Sequence, residues 1–465
     1  MAKFVGNIEL DETNVEFNAA VDIINNGTQQ ITYLTGKAGT GKTTFLKYIK
    51  ETTTKNTVIL APTGVAALNA GGQTIHSLFK IAPSIFVPDD DRLQIPEIFD
   101  YLQYGEDRVQ LINKMELLVI DEISMVRCDI LDVIDRILRV YRKRENEPFG
   151  GVQVLLIGDV FQLPPIAKKD EWEILSLFYD SIFFFSANVI RKNEFCYIEL
   201  KKIYRQHEKE FIELLNKVRI NQVTDADLIF LNSRYDPVFC PMEKDNYIIL
   251  STHNYMVRNT NISKLHKLST DMECFDAIIK GEFPDSIMPT EKSLELKIGA
   301  QIMFIKNDSS PIKRYYNGTI TKVKKIERRT ELLLEGVEID TSMIIVDDAM
   351  GNEIKVGQEE WKNIKYTWDA KKHKITEEVI GVFCQFPFKL AWAVTVHKSQ
   401  GFTFEKVIAD IGSSFSAGQV YVALSRCTNL GGLVIKTPVP REAIKVDSTV
   451  LEFAINENKC AKKSN

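Results

Sequence analysis

The sequence predicts an α/β protein built from parallel strand–helix–strand units around a phosphate-binding loop. Three observations carry that reading. Gly36-Lys37-Ala38-Gly39-Thr40-Gly41-Lys42-Thr43 follows the β-rich run Ile31-Thr32-Tyr33-Leu34-Thr35 and opens a helical pattern. That is G-x-x-x-x-G-K-S/T in the strand–loop–helix setting the motif requires. Two further apolar runs end in acids: Leu117-Leu118-Val119-Ile120 leads into Asp121-Glu122, and Val154-Leu155-Leu156-Ile157 leads into Gly158-Asp159. Buried strands that deliver a carboxylate beside a P-loop are what a nucleotide site needs.

At 465 residues the chain is expected to form two to four modules, each with its own core. No apolar run approaches the length of a membrane span, and Ile182-Phe183-Phe184-Phe185 reads as a core strand. The N-terminus has no secretory pattern, so a cytoplasmic protein is expected. Seven cysteines are scattered singly and six histidines lack metal spacing, which predicts neither a disulfide framework nor a zinc site. A formal charge of −5 argues against a surface coated in nucleic-acid-binding charge, while leaving room for a local basic groove.

Taken in order, residues 10–21 read as a capped amphipathic helix ending near the Asn26-Gly27 turn. In the P-loop, backbone N–H groups of Gly36, Ala38, Gly39, Thr40, Gly41, Lys42, Thr43 and Thr44 are expected to cradle phosphate oxygens at a helix N-terminus. Lys42 reaches the β- and γ-phosphates and the Thr43 hydroxyl ligates Mg²⁺. A strand at 57–61 ends in Pro62-Thr63-Gly64. Residues 80–110 lose periodicity through Pro83, Pro88, Pro96 and Asp89-Asp90-Asp91, and read as a loop-rich excursion. Asp121 is expected to hold Mg²⁺ and Glu122 to orient or deprotonate water. Gln162, at the carboxyl edge of the sheet, is placed to sense the γ-phosphate.

These segments resemble a known set. Gly36–Thr43, Ala61-Pro-Thr-Gly-Val-Ala-Ala67, Asp121-Glu-Ile-Ser124 and Gly158-Asp-Val-Phe-Gln-Leu-Pro-Pro165 are similar to motifs I, Ia, II and III of superfamily-1B DNA helicases, the Pif-type and RecD-like group. Leu200-Lys-Lys-Ile-Tyr-Arg-Gln206, Ala391-Trp-Ala-Val-Thr-Val-His-Lys-Ser-Gln-Gly401 and Gln419-Val-Tyr-Val-Ala-Leu-Ser-Arg426 are similar to motifs IV, V and VI. The likeness runs from about residue 10 to residue 440.

The resemblance implies two RecA-like P-loop lobes, with a small wedge insertion in the first and an SH3-like β insertion in the second. The first lobe would span 1–190, with the wedge at about 80–110. The second would comprise 191–311 and 387–440, the insertion 312–386, and 441–465 a fraying tail. It also implies ATP and Mg²⁺ as cofactors, with Arg205 and Arg426 reaching the nucleotide from the second lobe. Its partners would be single-stranded DNA and forked or structured duplex, engaged by a monomer moving 5′→3′. On the DNA side it implies Pro62, Thr63, Gly64, Thr395, His397 and Lys398 on phosphates, with His76 stacking on a base and Phe79 either stacking or packed in the core. The glutamine that reads adenine in related helicases has no clear counterpart, and Asn14 is the nearest substitute. Lys297, Lys306, Lys313, Arg314, Lys322, Lys324, Lys325, Arg328 and Arg329 make a basic stretch, read as a wall of the DNA channel in preference to a merely solvated basic face. Partner-dependent unwinding and a motor-dead DNA-binding scaffold are the competing readings. The intact Lys42, Asp121, Glu122, Gln162 and Arg426 speak against the scaffold.

Overall fold

The computed structural model describes residues 4–5, 8–9, 13–242, 245–308, 310, 314–332, 338–347, 352–369 and 374–463. The chain divides into two compact units. One comprises Met1–Arg205, Asn363–Ile380 and Val446–Asn465, the other Gln206–Lys362 and Gly381–Lys445.

The first unit is built on a six-stranded parallel sheet in the order Gln73–Thr74, Thr57–Ala61, Leu117–Ile120, Gln153–Ile157, Ile31–Gly36, Cys196–Leu200. Its central strands are continuous apolar runs because both faces are covered. On one face Leu34, Val119, Leu155 and Leu200 pack against Phe17, Ile24, Phe45 and Ile49 of helices Val15–Asn26 and Lys42–Thr52. Every strand points the same way, so the loops after residues 36, 61, 120, 157 and 200 all emerge at the carboxyl edge, where open α/β sheets bind ligands.

Several expected boundaries move. Strand Cys196–Leu200 belongs to the first sheet, because it pairs in parallel with the P-loop strand from Thr32↔Cys196 to Gly36↔Leu200. The first unit therefore runs to Arg205, beyond the expected 190. The tail forms helix Ser448–Lys463 and is held by the first unit. Its Phe453 ring stacks on Phe185 at 4.2 Å and 7°. Phe183 and Phe184 are buried as expected, but this stretch is a 3₁₀ turn, Phe184–Ser186, and not a strand. The excursion at 80–110 is also ordered, with helices Glu97–Leu102 and Glu106–Lys114 and a 3₁₀ turn at Asp91–Leu93. Arg92 organises it, pairing with Asp90 at 2.5 Å, donating to the Ile85 carbonyl at 2.9 Å and lying 4.3 Å above the Phe86 ring. Residues 363–380, expected in the insertion, also pack on the first unit. The Ile59 N–H donates to the Tyr366 hydroxyl at 3.3 Å, and Lys50 pairs with Glu377 at 2.8 Å.

The second unit carries a four-stranded parallel sheet in the order Ala393–Thr395, Ile248–Ser251, Val407–Asp410, Leu433–Ile435. A five-stranded antiparallel sheet follows the order Glu353–Val356, Met343–Asp347, Ile320–Glu327, Gln301–Phe304, Phe388–Leu390. This β-rich body draws on residues outside 312–386. Ile302 pairs with Leu390, and Phe304, Phe386 and Phe388 share one core with Ile344 and Val346.

Candidate nucleotide and nucleic-acid sites

The phosphate cradle sits at the carboxyl edge of the first sheet. Gly39 holds φ +81°, and a Cβ there would lie 2.5 Å from the Arg205 Cβ. At Gly36 a Cβ would meet the Thr40 hydroxyl at 2.5 Å and the Leu200 carbonyl at 2.8 Å. Only glycine permits that backbone and that approach. The Lys42 ammonium spans the loop, donating to the carbonyls of Gly36 at 2.5 Å and Lys37 at 3.1 Å, and Thr40 Oγ1 donates to Lys37 O at 2.9 Å. Thr43 and Thr44 stand exposed on the first turn of helix Lys42–Thr52, and Ala38 is buried within the loop.

Asp121 and Glu122 follow strand Leu117–Ile120. Glu122 adopts φ +52°, a left-handed conformation costly for a side-chain-bearing residue and typical of functional turns. Burial and the Glu122 charge push the Asp121 carboxyl up to about 7, while Lys42 draws it down. A divalent cation beside it would favour the ionised form, so this donor set fits a metal. Among the described residues no three His, Cys, Asp or Glu side chains converge. The arrangement therefore suits an ion that takes Thr43, Asp121 and substrate oxygens, not a closed protein cage. Gln162 is buried, its amide directed at Asp159 (3.4 Å), and Asp159 also accepts from the Phe161 N–H at 3.2 Å.

Arg205 and Arg426 occupy different settings. Arg205 lies in the first unit, half-buried against Gly39, because the chain after Leu200 runs back over the P-loop and the Tyr204 N–H donates to Gly39 O at 2.8 Å. The expectation that it arrives from the second lobe is therefore corrected. Arg426 does belong to the second unit. It is 2% exposed, donating to Val422 O and Ser425 Oγ at 2.9 Å and to Phe402 O at 3.4 Å.

Asn14 is also corrected. It is buried, its carbonyl caps helix Val15–Asn26 by accepting from the Phe17 N–H at 3.1 Å, and its amide donates to the Tyr204 hydroxyl at 3.1 Å. The group it presents is Tyr204, an exposed ring 3.9 Å from the Cβ position of Gly41. Sequence reasoning passed over Tyr204 and Gln206, although both sit in the Tyr204-Arg205-Gln206 segment it singled out. Gln206 is buried in the second unit and donates to Ser425 O and Cys427 O, both at 3.0 Å, so it grips the backbone on either side of Arg426.

Among the nucleic-acid candidates, Thr63 is exposed and its hydroxyl caps helix Gly64–Ala70, accepting from the Ala66 N–H at 3.3 Å, with Pro62 half-buried before it. His76 is half-buried, and burial followed by the Arg127 charge holds its imidazole below its usual range. It is a neutral ring at pH 7, suited to stacking or hydrogen bonding. Phe79 is fully buried and cannot stack on a base, because the short helix Ile75–Phe79 turns it into the core with Ile75 and Leu78. Thr395 is buried as well, its hydroxyl accepting from the Lys398 N–H at 3.3 Å, so it shapes the His397–Ser399 turn and does not offer a phosphate contact. His397 is half-buried, held below its usual pKa by that burial, and Lys398 is exposed.

The basic stretch is not an open wall. Lys306 pairs with Glu359 at 2.9 Å, Arg314 with Asp308 at 2.7 Å, Lys324 with Asp347 at 2.8 Å and Arg328 with Glu273 at 2.9 Å. Lys325 and Arg329 share Glu327 at 3.0 and 3.1 Å. Glu359, Asp347 and Glu273 from outside the run, with Asp308 and Glu327 inside it, neutralise a stretch that looks unbalanced when read linearly. Lys313 lies outside the described residues. No helix among the described residues is long and apolar enough to cross a membrane.

Comparison with known proteins agrees with this geometry. The family described as PIF1-like helicase matches residues 10–228. The ATP-dependent DNA helicase Pif1 of Campylobacter jejuni is 31% identical over 92% of this chain and 94% of its own length. The human ATP-dependent DNA helicase PIF1 is also 31% identical, over 91% of this chain but only 61% of its own length. Among solved structures, Bacteroides sp Pif1 in complex with ADP-AlF4 is 42% identical, with a TM-score of 0.85 over 96% of this chain and 97% of that one. The Bacteroides Pif1 complex with ADP-AlF3 and ssDNA, also 42% identical, superposes at 0.67 over 97% and 98%.

Proposed function

The chain belongs to the PIF1-like helicase family, and from that premise we infer that it is an ATP-dependent DNA helicase. It has two RecA-like lobes and spends ATP to move along single-stranded DNA and part a duplex. The observation that carries this reading is the convergence of Lys42, Asp121, Gln162 and Arg205 on one sheet edge, with a second parallel sheet bearing His397, Lys398 and Arg426.

In this reading Lys42 and the loop N–H groups hold the β- and γ-phosphates, and the Tyr204 ring packs against the base. Thr43 and Asp121 would hold Mg²⁺, which would supply positive charge to the phosphate oxygens. Glu122 takes the proton of the attacking water, held by its left-handed backbone at the strand end. Gln162 reports on the γ-phosphate, and its contact with Asp159 ties that report to the strand Gln153–Ile157. Arg205 supplies fixed charge from the first lobe, and Arg426 meets the charge that develops on the transferring phosphoryl group. DNA phosphates are taken by Pro62, Thr63 and Gly64 in one lobe and by His397 and Lys398 in the other, with His76 against a base. The excursion at 80–110 acts as the wedge. Its part is played by the exposed Ile95 and Phe99, since Asp90 is occupied by Arg92. The antiparallel body of the second unit takes the place of the SH3-like insertion. The protein works in the cytoplasm as a monomer, moving 5′→3′.

The test is unwinding by the pure chain on duplexes with a 5′ or a 3′ single-stranded tail. ATP-dependent separation of the 5′-tailed substrate alone is expected. Separation of the 3′-tailed one would reverse the polarity, and ATP turnover without separation of either would mark a translocase that needs a partner.

A further inference from the structure

The paired state of the basic stretch makes two other lysines conspicuous. Strand Phe388–Leu390 lies against Gln301–Phe304 in the antiparallel register Met303↔Lys389. Phe388 is fully buried in the core, so strand alternation sends Lys389 to the opposite face. There it is half-buried, its ammonium 5.9 Å from the centre of the Phe402 ring. Among the described residues no carboxylate or carbonyl lies within hydrogen-bonding distance of it, nor of the Lys398 side chain. The charged groups it faces are Glu291 and Lys398. Glu291 accepts from the Thr290 hydroxyl at 2.9 Å and makes no ion pair with it. Burial pushes the Lys389 ammonium down to about 8, with Glu291 opposing and Lys398 adding a smaller push in the same direction. Glu291 offsets part of that cost from a distance, but an ammonium without a hydrogen-bonded anion beside a second cation would still gain from an anion bound directly to it.

We propose that Lys389, with Lys398, grips a backbone phosphate of single-stranded DNA on the second unit. The proposal rests on the DNA-translocation reading above and adds to it a contact that no helicase motif in the sequence contains. A phosphodiester fits better than a free anion, because the surroundings also suit a base. Gly318 packs on Phe402, a Cβ there lying 3.6 Å from its Cδ1, and Tyr316, two residues earlier, is 59% exposed. An exposed ring on the segment that packs on Phe402, next to lysines, is the kind of setting in which proteins track single strands. Phe402 also links the site to the nucleotide chemistry, since its carbonyl accepts from Arg426 at 3.4 Å.

The experiment is equilibrium binding of a labelled oligo-dT at several salt concentrations to the full chain and to Lys389→Met and Lys389→Arg. Methionine keeps an apolar stem on Phe402 and removes the charge. It is expected to weaken binding about five-fold at 0.1 M salt and to flatten the log–log salt slope by roughly 0.7, the counterion release of one single-strand phosphate. Arginine is expected to restore both. Wild-type affinity should also fall as pH rises through about 8, and the Lys389→Met variant should lose that fall. Melting temperatures of the three proteins check that each is folded. A Lys389→Met variant with wild-type affinity and slope overturns the proposal while leaving the helicase reading intact. Wild-type protein without salt-dependent binding removes both. Stabilisation of wild type, but not Lys389→Met, by millimolar inorganic phosphate would make this a free-anion site and overturn the DNA assignment.

Discussion

The phosphate cradle of the first unit and the arginine-bearing face of the second are built by opposite means. The cradle is contiguous in sequence: glycines, lysine and threonine within residues 36–43, with Arg205 laid over them by the strand that ends at Leu200. The second face is assembled from distant pieces. Arg426 leans on the Phe402 carbonyl, and Gln206, more than two hundred residues earlier, fastens the backbone on both sides of it. A local cradle can be specified by a short motif, whereas a buried guanidinium held by Phe402, Val422 and Ser425 needs several segments to agree on its position. That difference predicts where substitutions should be felt.

The largest effect is expected at Arg426. Arg426→Ala should leave ATP affinity near wild type and lower DNA-stimulated turnover by about 10³ to 10⁵, the range for arginines that meet phosphoryl-transfer charge. Single-turnover hydrolysis and nucleotide titration measure the two separately. A loss of only a few-fold would make Arg426 a packing residue and erase the contrast between the faces.

Gln206 sharpens the comparison. Gln206→Met keeps the volume and removes two donations to carbonyls 3.0 Å away. At about 1 kcal/mol net for each of the two hydrogen bonds, kcat should fall by up to roughly thirty-fold with KM for ATP unchanged. A merely structural residue would shift KM and the melting temperature instead, so the split between kcat and KM identifies a positioning role.

The smallest effect concerns stability at Asp121. Its carboxyl is raised from 3.8 to about 7 by burial and by Glu122. A carboxyl that holds its proton more tightly when folded favours folding at low pH. Its cost to stability therefore grows as pH rises from about 4 to about 7 and persists above that. Asp121→Asn should raise the melting temperature without nucleotide at pH 7.5 by ~2–4 °C, corresponding to about 1 kcal/mol. The gain should vanish near pH 4, and Mg-ATP should no longer stabilise the variant. A fall in melting temperature at pH 7.5 would mean that Asp121 is a structural carboxylate.

Much of the fold and the nucleotide site was legible in the chain itself. The P-loop, the strand before Asp121 and the strand before Asp159 depend on short-range pattern: apolar runs set strands, glycines permit the loop, and acids end the strands at the ligand edge. Such features are encoded within a dozen residues and survive linear reading. Pairings between distant segments do not. The run at 297–329 reads as a positive wall until Glu359, Asp347 and Glu273 arrive from elsewhere. Phe79 stays open between stacking and core until its helix turns it inward, Asn14 looks able to read a base until Tyr204 takes its amide, and Lys389 looks ordinary until it proves half-buried beside Phe402 with Glu291 and Lys398 facing it. The sequence determined which groups exist and which lie next to one another along the backbone. Only the tertiary structure decided which charges are compensated and which rings are exposed, because Coulomb energy and burial depend on distance in space.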